Sequence, residues 1–338
     1  MAKYKKYPKY PLYRETPKNQ SGFGPNWHKY LPVLKRKNFY KENIPISGDA
    51  PKNFIRVYEY GECRRNRPGQ WTAYIAKVGH KWYPIESITE YLMNRIGEVM
   101  GINVAQSKLI LANEQIRFLS RYFLSPGKEQ LVHGAQIYSG YLEDEQFVEL
   151  ANERRQHEVS RELFTFQFTE EAIKALFPNE QAEILENFVA MLLYDALVGN
   201  NDRHFYNWGV ITHLFDQNKP RFAPVYDTAR GLFWNFSEAR IRSFNDEDKL
   251  ENYIEGALPR TGWEYAQQIN HFQLIERIFH EDGRYCAICE NVLNDKTYPA
   301  IERLIDADFQ HLLSSKRLQL IKKCLKLRTA KLLNKICS

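Results

Sequence analysis

Apolar residues follow strand-like spacing in the first third of the chain and helical spacing in most of the rest. Residues 51–60 and 71–78 are rich in Ile, Val, Tyr and Phe, and the polar stretch between them predicts a β-hairpin. The same pattern at 103–111 and 115–123 predicts a second hairpin. Because hairpin strands run antiparallel, we expect an antiparallel sheet in this part of the chain.

Between the two hairpins, residues 86–101 have the pattern of an amphipathic helix. Apolar side chains recur at helical spacing and share one face: Ile88, Leu92, Ile96 and Val99. Gly101 follows them, at the position where a glycine commonly ends a helix. The order hairpin, helix, hairpin predicts a small α+β lobe.

Beyond about residue 125 the pattern is mostly helical. The clearest helix, residues 179–199, is apolar over a broad face and leads into the polar stretch GNNDRHFYN. Two short strands, WGVIT and RFAPV, come next, and amphipathic helices alternate with short loops from about residue 263. We therefore expect a second, larger and mainly helical lobe.

The composition is that of a globular protein, with 43% hydrophobic and 26% charged residues in a chain of 338. The net charge of +6 is unevenly distributed, because residues 1–40 carry ten Lys or Arg and one acidic residue. The remainder has 37 Lys or Arg against 40 Asp or Glu, a net charge of −3. This distribution argues against direct nucleic-acid binding by the globular part.

The N-terminal segment, residues 1–43, is predicted to be a basic leader rich in tyrosine and proline. Its tyrosines recur every three residues with prolines between them: Tyr4, Tyr7, Tyr10 and Tyr13. This spacing fits a polyproline II helix, which would align the rings on one edge for docking on a protein surface. A flexible basic tail is the alternative interpretation.

Cysteine usage and hydropathy indicate a cytoplasmic protein. The five cysteines are few and odd in number, which predicts no disulfide framework. The N-terminus lacks the apolar core of a secretory signal, and no apolar run reaches the ~18 residues of a membrane span. The pair Cys286 and Cys289 has no second pair of ligands at zinc spacing, so we interpret it as core packing.

The strongest chemical signal is the stretch GNNDRHFYNWG, residues 199–209, between a buried helix and a strand. It presents Asp202 and Asn207 from one loop, and the hairpin that follows returns Asp227 to the side of Asn207. Phosphoryl transfer uses such a set, namely a carboxylate that accepts a hydroxyl proton and oxygen ligands for Mg²⁺. The alternative is that these residues only form turns.

Together with Lys77, the segments GNNDRHFYNWG and PVYD resemble the active-site signature of HipA-like serine/threonine kinases. Residues 46–52, ISGDAPK, are similar to the phosphate loop of that family, and YIAK, ending at Lys77, is similar to its strand with the nucleotide lysine. FLSRYF, residues 118–123, lies where the hinge between the lobes would be. The resemblance implies a bilobal, protein-kinase-like α+β fold, with an N-lobe at 44–125 and a helical C-lobe at 126–338.

The resemblance also implies ATP and Mg²⁺ as cofactors. Contacts to the nucleotide site are implied for Ser47, Gly48, Lys52, Lys77, Glu90, Arg121, Tyr122 and His204. Glu90 matches the helix glutamate that steadies the lysine, and Glu86, one turn earlier, is the alternative. Pro45 replaces the first serine of the family's phosphate loop, so Ser47 is the hydroxyl where autophosphorylation is expected.

The implied function is ATP-dependent phosphorylation of a serine or threonine in a protein substrate. Asp202 would be the base, Asn207 and Asp227 would hold Mg²⁺, and Lys77 would contact the phosphates. Family members include toxins with an antitoxin partner and exported effectors, and the residues do not choose between these roles. The alternatives are a nucleotide-binding pseudokinase or interaction module, and a lipid or small-molecule kinase.

A different class of function, nucleic-acid-binding regulation, depends on the basic leader and on residues 316–335. The latter stretch has eight Lys or Arg, no acidic residue and apolar positions at helical spacing. Such a helix can contact nucleic acid or anionic lipid. We favour the other interpretation, a terminal helix that packs on the large lobe and exposes a solvated basic face.

Arg203 in the polar loop is expected to pair with a buried acid.

Overall fold

The computed structural model describes residues 11–19, 21–44, 46, 51–146, 163–215, 219–266 and 268–336. The strands are β1 (Phe39–Lys41), β2 (Lys52–Val57), β3 (Thr72–Lys77), β4 (Ser107–Ala112), β5 (Gln115–Arg121), β6 (Glu129–His133), β7 (Gly209–His213) and β8 (Arg221–Phe222). The α-helices are α1 (Glu86–Val99), α2 (Gly134–Leu142), α3 (Phe166–Leu176), α4 (Gln181–Val198), α5 (Glu238–Arg242), α6 (Glu247–Glu255), α7 (His271–Glu281), α8 (Gly283–Val292), α9 (Thr297–Asp308) and α10 (Ser315–Ile336).

The small lobe is an antiparallel sheet of five strands in the order β1-β2-β3-β5-β4. Both predicted hairpins are present, β2 with β3 and β4 with β5. The second turns at Asn113 and Glu114, which have φ angles of 51° and 61°, the paired positive values of a tight two-residue hairpin turn. In this register Lys77 lies opposite Lys52 on one side and Phe118 on the other.

Helix α1 packs on one face of this sheet, and part of the predicted leader covers the other. Leu12 is buried with side chains of the central strands, including Ile55 and Leu119. Backbone N–H of Tyr13 donates to Oδ1 of Asn53 at 2.8 Å. Tyr4, Tyr7 and Tyr10 lie outside the described residues.

Strand β1 also belongs to the segment that we expected to be a leader. Its three residues pair with β2, with Phe39 opposite Val57. Phe39 and Tyr40 are both buried. The difference has a simple cause, since three residues are too few for alternation of apolar and polar side chains to show in the sequence.

The large lobe is built around α4, which is buried on most sides. Gly199 ends this helix with φ of 65°, a left-handed conformation that glycine adopts without steric cost. The lobes are joined by a parallel bridge between Val104 and Val225. Because Val225 is two residues before Asp227, this bridge ties the position of Asp227 to the small lobe.

The C-terminal helix α10 packs on the large lobe, as the favoured interpretation predicted. Several of its lysines pair with acids on neighbouring helices, and three such pairs are Lys322–Asp306 at 2.6 Å, Lys323–Glu247 at 2.9 Å and Lys335–Glu276 at 2.9 Å. These acids offset much of the positive charge on the helix surface. Within the described ranges, no helix has the length and apolarity that a membrane span requires.

The two cysteines of the CxxC pair lie on α8, and Cys289 is fully buried. Burial raises the pKa of the Cys289 thiol to about 12, so it is a neutral apolar side chain. Across the part of the chain that the structure describes, no three His, Cys, Asp or Glu side chains group as they would around a metal ion. The burial of Cys289 agrees with core packing, whereas Cys286 is half-buried.

Candidate active site

The amine of Lys77 lies between two carboxylates that come from different lobes. Nζ donates to Oε1 of Glu90 on α1 and to Oδ1 of Asp227 in the large lobe, each at 2.6 Å. Lys77 and Glu90 are both buried. Glu86 is not the partner, because its Oε2 accepts the backbone N–H of His80 at 2.7 Å.

The three charged groups of this cluster shift one another's pKa values. The Lys77 ammonium holds the pKa of the Asp227 carboxyl well below its usual range, and Lys52 adds to this effect. Burial opposes the charge of Lys77, but Asp227 and Glu90 raise its pKa above the usual value. Burial raises the pKa of Glu90 to about 7, although Lys77 counteracts it. Lys77 is thus placed at 2.6 Å from both carboxylates, and its charge acts most strongly on Asp227.

The polar loop after α4 is organised by Arg203, which is buried. Its guanidinium forms a forked pair with Asp195 in the last turn of α4, with Nε to Oδ2 at 2.8 Å and Nη2 to Oδ1 at 3.0 Å. It also donates to the carbonyl oxygens of Asn207 and Tyr226 at 2.8 and 2.6 Å. One side chain thus connects α4, the polar loop and the segment that ends at Asp227. Asp195 is the buried acid that the sequence predicted for Arg203.

Asp202 and Asn207 are held by the same loop. The Asn207 Nδ2 donates to the backbone carbonyl of Asp202 at 2.8 Å, so the amide nitrogen serves the loop and the oxygen is the atom that can bind a cation. Asn207 is buried. The Asp202 carboxylate is 30% exposed and has Arg260 at 3.5 Å and Arg230 at 3.8 Å.

Asp227 has φ of 55°, an uncommon left-handed conformation for a residue other than glycine. The segment before it is held by Tyr226, whose hydroxyl donates to the carbonyl of Tyr206 at 3.1 Å and lies 2.9 Å from Nδ1 of His133. These contacts stabilise the left-handed backbone conformation of Asp227, in which its carboxylate lies against Lys77.

The other residues of the small lobe that the sequence indicated are spread along the sheet. Arg121 donates from Nη1 to Oε1 of Gln106 at 2.7 Å. Backbone N–H of Tyr122 donates to the carbonyl of Ala73 at 2.9 Å, and its ring meets Phe54 edge to face at 5.2 Å. Ser47 and Gly48 are outside the described residues.

The position of the predicted hinge at 118–123 differs in the structure. Strand β5 continues through Arg121, so the connection between the lobes begins only at Tyr122. Apolar residues that lead into a loop show the same sequence pattern whether or not they pair with a neighbouring strand, so the sequence did not show where β5 ends.

His204, in the polar loop, is half-buried, and burial lowers its pKa below the usual value.

The profile of the HipA-like C-terminal domain matches residues 44–281, more than half of the chain. The chain belongs to this family. Among curated protein sequences no match is found. The profile match therefore shows that the chain is HipA-like, and solved structures show which known folds it resembles.

The HipA-like chain is similar to the Helicobacter pylori proinflammatory kinase CtkA, with a TM-score of 0.65 and 16% sequence identity over 84% of this chain and 92% of that chain. It is also similar to HipA in the Shewanella oneidensis MR-1 toxin–antitoxin complex of HipA, HipB and operator DNA. That TM-score is 0.45, with 14% identity over 97% of this chain and 75% of that chain. The bilobal, protein-kinase-like α+β fold expected from the sequence is confirmed.

Two arginines of α10 are buried against the large lobe, although the sequence placed the basic residues of this helix on a solvated face. Arg328 donates to the carbonyl oxygens of Ala196 and Ile254 at 2.8 and 3.0 Å, near the end of α4. Arg317 donates to the carbonyl of Phe233 at 3.0 Å, after Asp227. A signal was present, since both arginines share the helix face of Ile321, Leu325 and Leu332.

Proposed function

We propose that this protein is an ATP- and Mg²⁺-dependent serine/threonine protein kinase of the HipA-like type. The observation that carries the proposal is the position of Lys77 within 2.6 Å of both Glu90 and Asp227. A buried lysine, a helix glutamate and an aspartate that follows a loop with Asp and Asn are the groups that phosphoryl transfer needs. Residues 44–125 and 126–338 are the proposed N-lobe and C-lobe.

The residues present fit a magnesium ion. Mg²⁺ is usually held by one or two protein carboxylates or other hard oxygens, with phosphate and water completing its coordination. The Asp227 carboxylate and the Asn207 amide oxygen are such ligands, and Arg203 links their two backbone segments. When bound, the ion would neutralise the charge that develops on the transferred phosphoryl group.

The side chains of the cluster would exchange partners when the nucleotide binds. Lys77, whose present partners are Asp227 and Glu90, would then contact phosphate oxygens in place of Asp227, and Glu90 would keep it in position. Lys52, which lies directly opposite Lys77 on the neighbouring strand, adds positive charge on the same face of the sheet. Burial of this cluster strengthens each interaction relative to water.

Asp202 would act at the acceptor. Its carboxylate would accept the hydroxyl proton of a serine or threonine as the hydroxyl oxygen bonds to the γ-phosphorus and the bond from that phosphorus to the bridging oxygen breaks. The products are a phosphoprotein and ADP. We expect a protein substrate in the cytoplasm, with the protein acting either as a toxin with an antitoxin partner or as an effector.

The direct test is incubation with γ-labelled ATP, Mg²⁺ and a cell lysate, followed by identification of the labelled proteins. Transfer to serine or threonine of one or a few proteins is expected. Nucleotide binding without transfer to any protein would indicate the alternative, a nucleotide-binding interaction module. Label recovered in the lipid or small-molecule fraction would indicate a different acceptor class.

Replacing Asp227 with Asn is expected to weaken Mg²⁺-dependent ATP binding as well as turnover. The substitution removes the negative charge that would face the cation and leaves Lys77 with Glu90 alone. Calorimetry with ATP in the presence and absence of Mg²⁺ measures the effect. Asp306→Asn, at an exposed residue paired with Lys322, is the matched control. Unchanged ATP·Mg²⁺ affinity in Asp227→Asn would remove this residue from the metal site.

We also expect Ser47 to be autophosphorylated and its modification to lower activity. A phosphate there would add about −1.5 to −2 charge beside Gly48 and Lys52 and compete with the phosphates of ATP. Mass spectrometry of the purified protein after ATP treatment, with Ser47→Ala as the reference, measures the modification. An unmodified Ser47 in a protein that labels its substrate contradicts this expectation.

A further inference from the structure

Arg117 on β5 is fully buried, and among the described residues no carboxylate pairs with it. Nη2 donates to the backbone carbonyl of Tyr13 at 2.5 Å. Its Nε and Nη1 have no hydrogen-bond partner in the part of the chain that the structure describes. Burial lowers the pKa of this guanidinium to about 10, so it is still charged at neutral pH. A buried charge of this kind destabilises the fold unless a further acceptor reaches it.

Arg117 is one of three side chains that hold the backbone of the N-terminal segment on the outer face of the small-lobe sheet. Oδ1 of Asn53 accepts the N–H of Tyr13 at 2.8 Å. Gln115 accepts the N–H of Glu15 at 3.2 Å and donates to the carbonyl of Glu15 at 2.8 Å. We call Asn53, Gln115 and Arg117 the peptide clamp. It binds the backbone of alternate residues, as a site for an extended peptide does.

The side chains of the bound segment contribute less than its backbone. Among residues 11–15, Leu12 is the buried one, and it packs with Ile55 and Leu119. Tyr13 and Arg14 are exposed. Because hydrogen bonds to the backbone do not depend on residue type, the clamp can hold another extended segment with an aliphatic residue in the place of Leu12. Peptide-recognition sites combine main-chain hydrogen bonds with side-chain pockets in this way.

The resident segment supplies no carboxylate to Arg117. Glu15 is the one acidic residue among residues 1–40, and its Oε2 accepts the hydroxyl of Tyr13 at 2.8 Å. The same forty residues carry ten Lys or Arg, so they are a poor electrostatic match for a buried cation. A segment with a carboxylate near the position of Tyr13 is a better match, since a charged acceptor roughly doubles the strength of a hydrogen bond.

We propose that the peptide clamp is a docking site for an extended acidic segment of a partner protein, which takes the place of residues 11–15. The incoming backbone would bind Asn53 and Gln115, and its carboxylate would accept N–H groups of Arg117. The clamp lies on the face of the sheet opposite to Lys77 and Glu90, so this inference does not depend on the proposed function.

A peptide carboxylate fits this site better than a free anion such as phosphate or chloride. Arg117 is fully buried, so a ligand reaches it when residues 11–15 move away. A free anion brings no backbone N–H for Asn53 and no aliphatic group for the place of Leu12. A peptide replaces both contacts and adds the charge, so the exchange leaves no polar group of the clamp unpaired.

The test measures binding of fluorescein-labelled peptides to the full-length protein by fluorescence anisotropy. The probes are the peptide of residues 9–17 with Tyr13→Glu and the same peptide with Tyr13→Gln. Wild type is expected to bind the Glu peptide with a Kd about 10-fold lower, the scale of one charge-assisted contact. Arg117→Met in the protein is expected to bring that ratio to near one. Leu12→Ala in the protein loosens the resident segment and is expected to strengthen binding of both peptides.

The stability of Arg117→Met shows whether this arginine serves a ligand or the fold. Replacing an unpaired buried charge with an apolar side chain of similar size is expected to raise the midpoint of denaturant unfolding. Arg56→Met is the matched control, because Arg56 lies on the same sheet and pairs with Glu42 at 2.6 Å. This variant is expected to lower the midpoint and to keep the ratio of peptide affinities.

Several results would overturn the inference. A lower midpoint for Arg117→Met than for wild type would show that the arginine supports the fold. Equal affinity for the Glu and Gln peptides, or binding of neither peptide even by Leu12→Ala, would reject an acidic partner segment. Thermal stabilisation of wild type but not of Arg117→Met by phosphate or chloride, without peptide binding, would indicate a free-anion site instead. None of these assays uses ATP, so their results are independent of the kinase assay.

Discussion

Asp202→Asn is expected to lower phosphoryl transfer by about 10²–10⁴-fold, the usual contribution of a positioned base. Asparagine has nearly the same shape but cannot accept the hydroxyl proton. The hydrogen bonds that hold this loop to Asn200 and Asn207 use the backbone N–H and C=O of residue 202, so they survive the substitution. Fold and ATP affinity are expected to persist.

Initial-rate assays with labelled ATP, alongside calorimetry of ATP binding, measure both parts of this prediction. Asp282→Asn is a matched control, because Asp282 is a partly exposed acid that also pairs with an arginine, Arg284. Full activity in Asp202→Asn would remove Asp202 from the role of base. Loss of ATP binding together with activity would show that the residue supports the fold instead.

Arg203→Ala is expected to destabilise the protein by about 3–5 kcal/mol, since it leaves the buried Asp195 carboxylate without its partner. Asp195 keeps one short contact, from Nδ2 of Asn200 at 2.9 Å. The carbonyl oxygens of Asn207 and Tyr226 also lose a donor, so the two segments with the proposed metal ligands are expected to separate. Activity is expected to fall even where the protein remains folded.

Arg203→Lys refines this prediction, because lysine keeps the charge but cannot form the forked pair. We expect its stability to lie between those of wild type and Arg203→Ala. Denaturant unfolding measures the free energies. The control is Arg284→Ala, whose exposed pair is expected to contribute less than about 1 kcal/mol. A loss in Arg203→Ala no larger than in this control would contradict a structural role for Arg203.

The sequence predicted the larger elements because each has a local signature. Alternating apolar residues marked both hairpins, and helical spacing marked α1, α4 and α10. Two features of the N-terminal segment were missed. Strand β1 has three residues, and Leu12 is one apolar residue in a polar stretch, so neither forms a pattern that burial by distant strands would reveal.

For the candidate site too, the sequence indicated some residues and left the contacts of others open. The motif order indicated Lys77, Asp202, Asn207 and Asp227, since residue type and spacing carry that information. Whether Glu86 or Glu90 meets Lys77 was open, because both lie on nearly the same helix face. Only the packing of α1 on the small-lobe sheet brings Glu90 to 2.6 Å from Lys77 and turns Glu86 toward His80.

By itself, then, the sequence determined the fold class and the order of the larger elements, and it indicated the groups that are proposed to carry chemistry. The tertiary structure alone decided the partners that come from far along the chain. Arg260 faces Asp202 and Arg328 supports the end of α4 across long stretches of sequence. The physical reason is that a buried or shared charge is placed by three-dimensional packing, and spacing along the chain records contacts within an element but not between distant ones.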